Sequence, residues 1–158
     1  LNTALAQEMN VKNDKVKVEF YVVSDKQEGT IGGFESTIHF DPASPTTASI
    51  KGSVDVKTID TGSKTRDEHL ISDDYFNAEK YPKMYFESKS VESTKDGYKM
   101  EGTMTIKGVE KPVTFNFTFE NSKFSGKTTI YGKDFNIGHS WKSREDSKIY
   151  IKINIPVA

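Results

Sequence analysis

From Lys15 onward the chain alternates. Val16, Val18, Phe20 and Val22 point one way and Lys15, Lys17, Glu19 and Tyr21 the other, the period of two that gives a strand one apolar and one wet face. Asp25 to Gly29 reads as a turn. The next strand covers Thr30 to Asp41 with Phe34, Ile38 and Phe40 on its apolar side, and Gly32-Gly33 within it predicts a bulge or bend. Pro42 to Pro45 breaks the ladder, and Ser49 to Ile59 resumes it with Ile50, Val54 and Val56 inward. Further on, Met84, Phe86 and Ser88 face in from the run Lys83 to Thr94, which a Lys95-Asp96-Gly97 hairpin signal joins to Tyr98, Met100, Gly102, Met104 and Ile106. A turn at Gly108 leads to Val113, Phe115, Phe117 and Phe119. The runs Phe124 to Lys133 and Ile149 to Val157 bring the total to about eight strands.

The segment Ile59 to Pro82 breaks this rhythm. A connection of that length in a compact all-β domain is usually a lid, a binding loop or disordered, and the anchors Leu70, Ile71, Tyr75, Phe76 and Tyr81 argue against disorder. Thr65 and Glu68 have the spacing of a capping box, which predicts a short helix, and Ser72-Asp73-Asp74 begins another helical turn. Pro82 hands the chain back to a strand. The polar trio Arg66, Asp67 and His69 lies here. A charge pair in a short turn more often fixes the turn than performs chemistry, so the three are read as a structural motif. A second loop, Asp134 to Ser147, holds Phe135, Gly138, His139 and the single tryptophan, Trp141.

Hairpin-connected strands with one apolar and one charged face predict an all-β fold, an antiparallel up-and-down barrel with short helical turns between strands three and four. A two-sheet sandwich is the alternative. Because Lys and Glu occupy the outer face, the outside belongs in water and the apolar side in the lumen, the reverse of a membrane barrel. That inner set comprises Phe20, Phe34, Phe40, Val54, Phe86, Met100, Met104, Phe115 and Phe117, with the small residues Gly52, Ser88 and Gly102 among them. Small beside large leaves a channel or packs tightly, and the sequence allows both.

Composition removes several functions. A formal net charge of −1 supplies no basic field for nucleic acid. With no Cys there is neither a disulfide framework nor a thiol nucleophile, and His39, His69 and His139 stand at no metal-ligand spacing. No G-x-S-x-G turn and no phosphate-cradling Gly loop is present, so no cofactor is expected. No apolar run is long enough to cross a membrane as a helix. Ala4-Leu5-Ala6 has the small-x-small form of a signal-peptidase site, so residues 1–14 read as an export-signal remnant with an N-terminal extension and residues 15–158 as the barrel domain.

Gly33-Phe34, Phe40-Asp41-Pro42, Ile59-Asp60-Thr61-Gly62, Arg66-Asp67-x-His69-Leu70, Tyr75-Phe76, Tyr81-Pro82 with Phe86-x-Ser88, Gly102-x-Met104-Thr105-Ile106-x-Gly108-Val109 and Asp134-Phe135-x-Ile137-Gly138 follow one another in a recognisable order. The chain thereby resembles the YceI-like family, lipocalin-like bacterial proteins associated with polyisoprenoid and related lipid binding. Two departures stand out: Met104 replaces a Leu, and Lys133 replaces an Arg ahead of Asp134, losing a planar fork. The resemblance implies an elongated apolar cavity, a periplasmic or secreted location and, in some members, a homodimer. Sequestration or transport of a long apolar lipid by a non-enzyme is the leading expectation, with Ser88, Arg66, His69 and Trp141 as head-group contacts. A solid barrel serving as a stress-response or interaction module, anchored by Trp141 and Phe135, is the alternative; a small hydrolase using Asp67 and His69, with His139, is the least favoured.

Overall fold

A computed structural model describes residues 6–138 and 140–158; most of the Ala4-Leu5-Ala6 pattern and His139 lie outside the described residues. The strands are β1 Lys17–Val22, β2 Gln27–His39, β3 Ser49–Asp60, β4 Lys83–Ser93, β5 Tyr98–Ile106, β6 Val109–Glu120, β7 Lys123–Tyr131 and β8 Lys148–Pro156. Each pairs antiparallel with its neighbour in sequence, and β8 closes on β1 with Val18 opposite Ile153 and Val22 opposite Ile149. This is the expected closed eight-stranded antiparallel barrel. One helix, α1 Lys64–Leu70, lies between β3 and β4.

Turn chemistry brings the strands together. Asn121 and Ser122 have φ of 53° and 57°, and Lys107 and Gly108 have 53° and 75°, so both hairpins turn with two left-handed residues whose twist matches the flanking strands. The bulge expected at Gly32-Gly33 is present, with Gly33 at φ 67° and an irregular register between Gly32 and Glu35. It reverses the facing of β2, so that Ile31 before it and Phe34 after it both point inward.

An irregularity in β3 does the same. Thr30 pairs with Asp60 but Gly32 with Asp55, and the surplus β3 residues are held by the Thr58 hydroxyl, which donates to the Asp55 carbonyl at 2.6 Å and accepts from Gly32 N–H at 2.6 Å. Ile59, not Val56, therefore faces the lumen beyond Val54; Val56 is buried elsewhere.

Residues before β1 take part in the barrel. Met9 N–H donates to the Ile38 carbonyl at 2.7 Å, Phe40 N–H to Gln7, Lys12 N–H to Pro156 and Ala158 N–H to Asn10. Glu8 bridges to His39 and Val11 to Val157, and Met9 and Val11 pack against the core. The stretch is a strap across one end of the barrel, and it leaves His39 half-buried where alternation alone predicts exposure.

Candidate functional site

The interior is not solid. A cavity of about 520 Å³ runs inside the barrel, lined by residues of all eight strands together with α1 and the two long connections. Its wall is the inner face of the alternation: Val18, Phe20, Ile31, Phe34, Val54, Met84, Phe86, Met100, Met104, Phe115, Phe117, Gly126 and the β8 isoleucines. Of the residues expected to line it, Phe20, Phe34, Val54, Phe86, Met100, Met104, Phe115 and Phe117 do.

Phe40 and Ser88 do not. Phe40 is 2% exposed and sits beyond the lumen in a cluster of rings, 5.1 Å from Tyr98, 5.7 Å from Phe117, 5.6 Å from Phe119 and 5.2 Å from Phe124. Ser88 stands at a bulge in β4 that shifts the inward position to Val91. Backbone pairing of β3 with β4 extends only from Asp55 to Lys51, and just past it the Ser88 hydroxyl accepts from Ile50 N–H at 2.9 Å. One of its lone pairs is thus engaged by the wall, and it does not line the cavity.

At the other end the lining passes to the exposed residues Asp25, Arg66, His69 and Ser140, so the cavity opens there. The mouth is built by the non-alternating segments. Ser63, not Thr65, caps α1, accepting from Arg66 N–H at 3.2 Å; Ser72 to Phe76 then form hydrogen-bonded turns in place of a second helix. Asp67 Oδ1 accepts from both the N–H and the hydroxyl of Thr61, at 2.9 and 2.6 Å, and so ties the helix to the end of β3. That leaves Arg66 turned to the mouth with a single 3.4 Å contact to Thr61 Oγ1 among the described residues. His69 faces Asp74 at 3.6 Å and packs edge-on to Tyr75. The Asp67–His69 pair that a hydrolase needs is not assembled, because each has a different partner. Among the described residues no group of three or more His, Asp or Glu is placed to hold a metal ion.

The second long connection supplies the opposite side of the mouth. Phe135 is 1% exposed, and the Trp141 ring lies over Gly132 so closely that any side chain there would collide with it. Both are therefore packed inward and neither projects as an anchor for a partner. The Trp141 indole N–H is buried at the cavity wall with no hydrogen-bond partner among the described residues. Its backbone carbonyl accepts from Lys133 Nζ at 3.3 Å. The fork absent at Lys133 is provided by Arg144, whose Nε and Nη2 donate to the two Asp134 oxygens at 2.9 and 3.0 Å while its guanidinium stacks 3.8 Å above the Tyr131 ring. That hydrogen bonding holds the Asp134 carboxyl below the usual carboxylate range, against partial burial, which acts the other way.

Alternation alone does not reveal Ile31 and Ile59, whose facing is set by bulges, nor Tyr75, Phe76, Ile137 and Trp141, which reach the lumen from loops. The aromatic content of those loops was the available signal.

A sequence profile described as the YceI-like domain matches residues 9–157. The Escherichia coli protein YceI is 33% identical over 119 residues, covering 69% of this chain and 62% of that protein. A UPF0312 protein of Photorhabdus laumondii is 38% identical over 88 residues, 56% of this chain and 46% of its own. The chain thus spans about half to three fifths of the curated relatives it matches. Among solved structures, BcnA of Burkholderia cenocepacia superposes with a TM-score of 0.82 at 28% identity, over 94% of this chain and 99% of that one. A polyisoprenoid binding domain from Saccharophagus degradans superposes at 0.64 with 9% identity, covering 98% of this chain and all of that one (100%), a likeness of fold alone.

Proposed function

The chain belongs to the YceI-like family, and we propose that its barrel binds one long apolar lipid, of the polyisoprenoid or fatty-chain type, and sequesters or carries it through water outside the cytoplasm. The observation that carries this reading is the hydrocarbon-lined cavity inside the barrel, bordered by rings at one end and open at the other. Each methylene moved out of water contributes about 0.8 kcal/mol, so a dry lumen repays a chain of many carbons without any directional contact. Strands of about ten residues rising ~3.3 Å each, tilted by roughly 40° as a closed barrel requires, give a sheath about 25 Å long, enough for an extended chain. The polar end then sits at the mouth, where Arg66, His69 and the Trp141 N–H, unpartnered among the described residues, offer donors to an oxygen-bearing head group.

The test is native mass spectrometry on protein purified without detergent. A retained long-chain molecule that solvent extraction releases is expected, and Val54→Trp, which fills the lumen, should abolish the retention. Wild-type protein that neither retains a lipid nor takes up an added polyprenol or fatty alcohol sinks the reading.

A further inference from the structure

The floor of the lumen is made of rings in two layers. Phe117 and Phe124 border the cavity, whereas Phe40, Tyr98 and Phe119 do not. Phe40 meets the first pair nearly edge-on, at interplanar angles of 67° and 71°. Strand register sets the others: Tyr98 is the cross-strand partner of Phe117, stacked on it at 5.1 Å, and Phe119 is the partner of Phe124, at 4.5 Å. The strap residues Met9 and Val11 pack against the same core. Such a floor cannot yield to a longer chain without expelling a ring from close-packed surroundings. Level with Phe117 the wall is relieved by its cross-strand partner Gly126, where a methyl group would lie 3.2 Å from Ile153 Cγ2 and 3.6 Å from Phe117 Cβ.

We infer that Phe117 and Phe124, held from behind by Phe40, are a chain-length stop, so that this barrel selects apolar chains by how far they reach. The inference rests on the carrier reading and adds the specificity determinant to it. Affinity then rises about fourfold with each added carbon until the tip meets the rings, and is flat beyond. A volume of about 520 Å³, at the ~30 Å³ that a water molecule takes in the liquid, places that break on the order of twenty carbons.

The experiment titrates the intact chain with saturated straight-chain alcohols of increasing length, using displacement of a fluorescent fatty-chain probe. Phe117→Ala should move the break to longer chains by roughly four to six carbons, and Gly126→Ala should move it to shorter ones by about one. Phe124→Leu, a milder change, gives a second deepening variant if Phe117→Ala does not fold. A break that stays put in the deepened variants while alcohols still bind overturns the stop and leaves the carrier reading standing. Wild-type affinity that climbs with length without any break also overturns it. Failure of straight-chain alcohols of every length to bind the wild type overturns the stop as stated, and the carrier reading falls with it only if an added polyprenol also fails to bind and no lipid is retained.

Discussion

At the closed end β6 returns as β7 through Asn121 and Ser122 alone, β4 returns as β5 through 94–97, and strand side chains fill the interior between them. At the mouth the connections 61–82 and 132–147 supply most of the polar groups and much of the aromatic rim, with Asp25 added from the β1–β2 turn. The closed end is held by apolar packing among Phe40, Tyr98, Phe117, Phe119 and Phe124. The mouth is held by hydrogen bonds: Asp67 to Thr61, Ser63 to Arg66, and Arg144 to Asp134. A floor has to exclude water and resist displacement, which close packing does. An entrance has to admit a ligand and tolerate water, which individually replaceable polar ties do.

The sharpest way to break this comparison is to remove a ring from the floor. Phe40→Ala deletes a side chain that is 2% exposed and touches four other rings, so a loss of about 3–5 kcal/mol is expected in chemical denaturation. A loss under about 1 kcal/mol would mean the floor collapses freely and is no floor.

At the mouth the corresponding change is Asp67→Ala. It leaves the Thr61 N–H and hydroxyl without their acceptor in a half-buried position, and about 1–2 kcal/mol should be lost. Because the tie is local, hydrogen exchange should quicken in Lys64–Leu70 and leave the strand amides of β5 to β7 unchanged. Equal acceleration at both ends would show the barrel to open as one unit and erase the distinction drawn here.

Legibility in the sequence divides along the same line. Phe115, Phe117, Met100 and Met104 obey strict alternation in strands without bulges, so their inward direction could be read directly. Phe40 obeys the same rule yet lies past the lumen, because period two gives the side of a strand and not the depth along the barrel. Val56 fails where β3 is irregular, since an odd number of surplus residues reverses every facing after it. Ser88, still paired with inward Gly102 just before the β4 bulge, is instead taken up by the wall through Ile50 N–H. The helix was readable from turn residues, but its cap was placed two positions late: Ser63 accepts from Arg66 N–H, whereas a capping box at Thr65 would have taken Glu68 N–H. Trp141 was visible only as a lone aromatic in a loop. Its position over Gly132 depends on a contact between residues whose sequence pattern carries no period.

The smallest effect tests whether the mouth's polar ties titrate while the floor does not. Arg144 is the main reason the Asp134 carboxyl lies below the usual carboxylate range, so folding is favoured by the ionised form. A group with a depressed folded-state value contributes its stability above the unfolded value, near pH 4, and loses it as pH falls through the folded one. Wild type and Arg144→Leu should therefore differ slightly in thermal midpoint at pH 7, with wild type higher. The difference should shrink below pH 4 to what the lost stacking on Tyr131 costs once Asp134 is protonated. Asp134→Asn should behave likewise, because it removes the same charge-assisted bonds from the other side. The deficit of Phe40→Ala, which involves no titrating group, should be the same at both pH values. If the two deficits change together with pH, carboxylates elsewhere govern the whole barrel and the Asp134–Arg144 tie has no separate role.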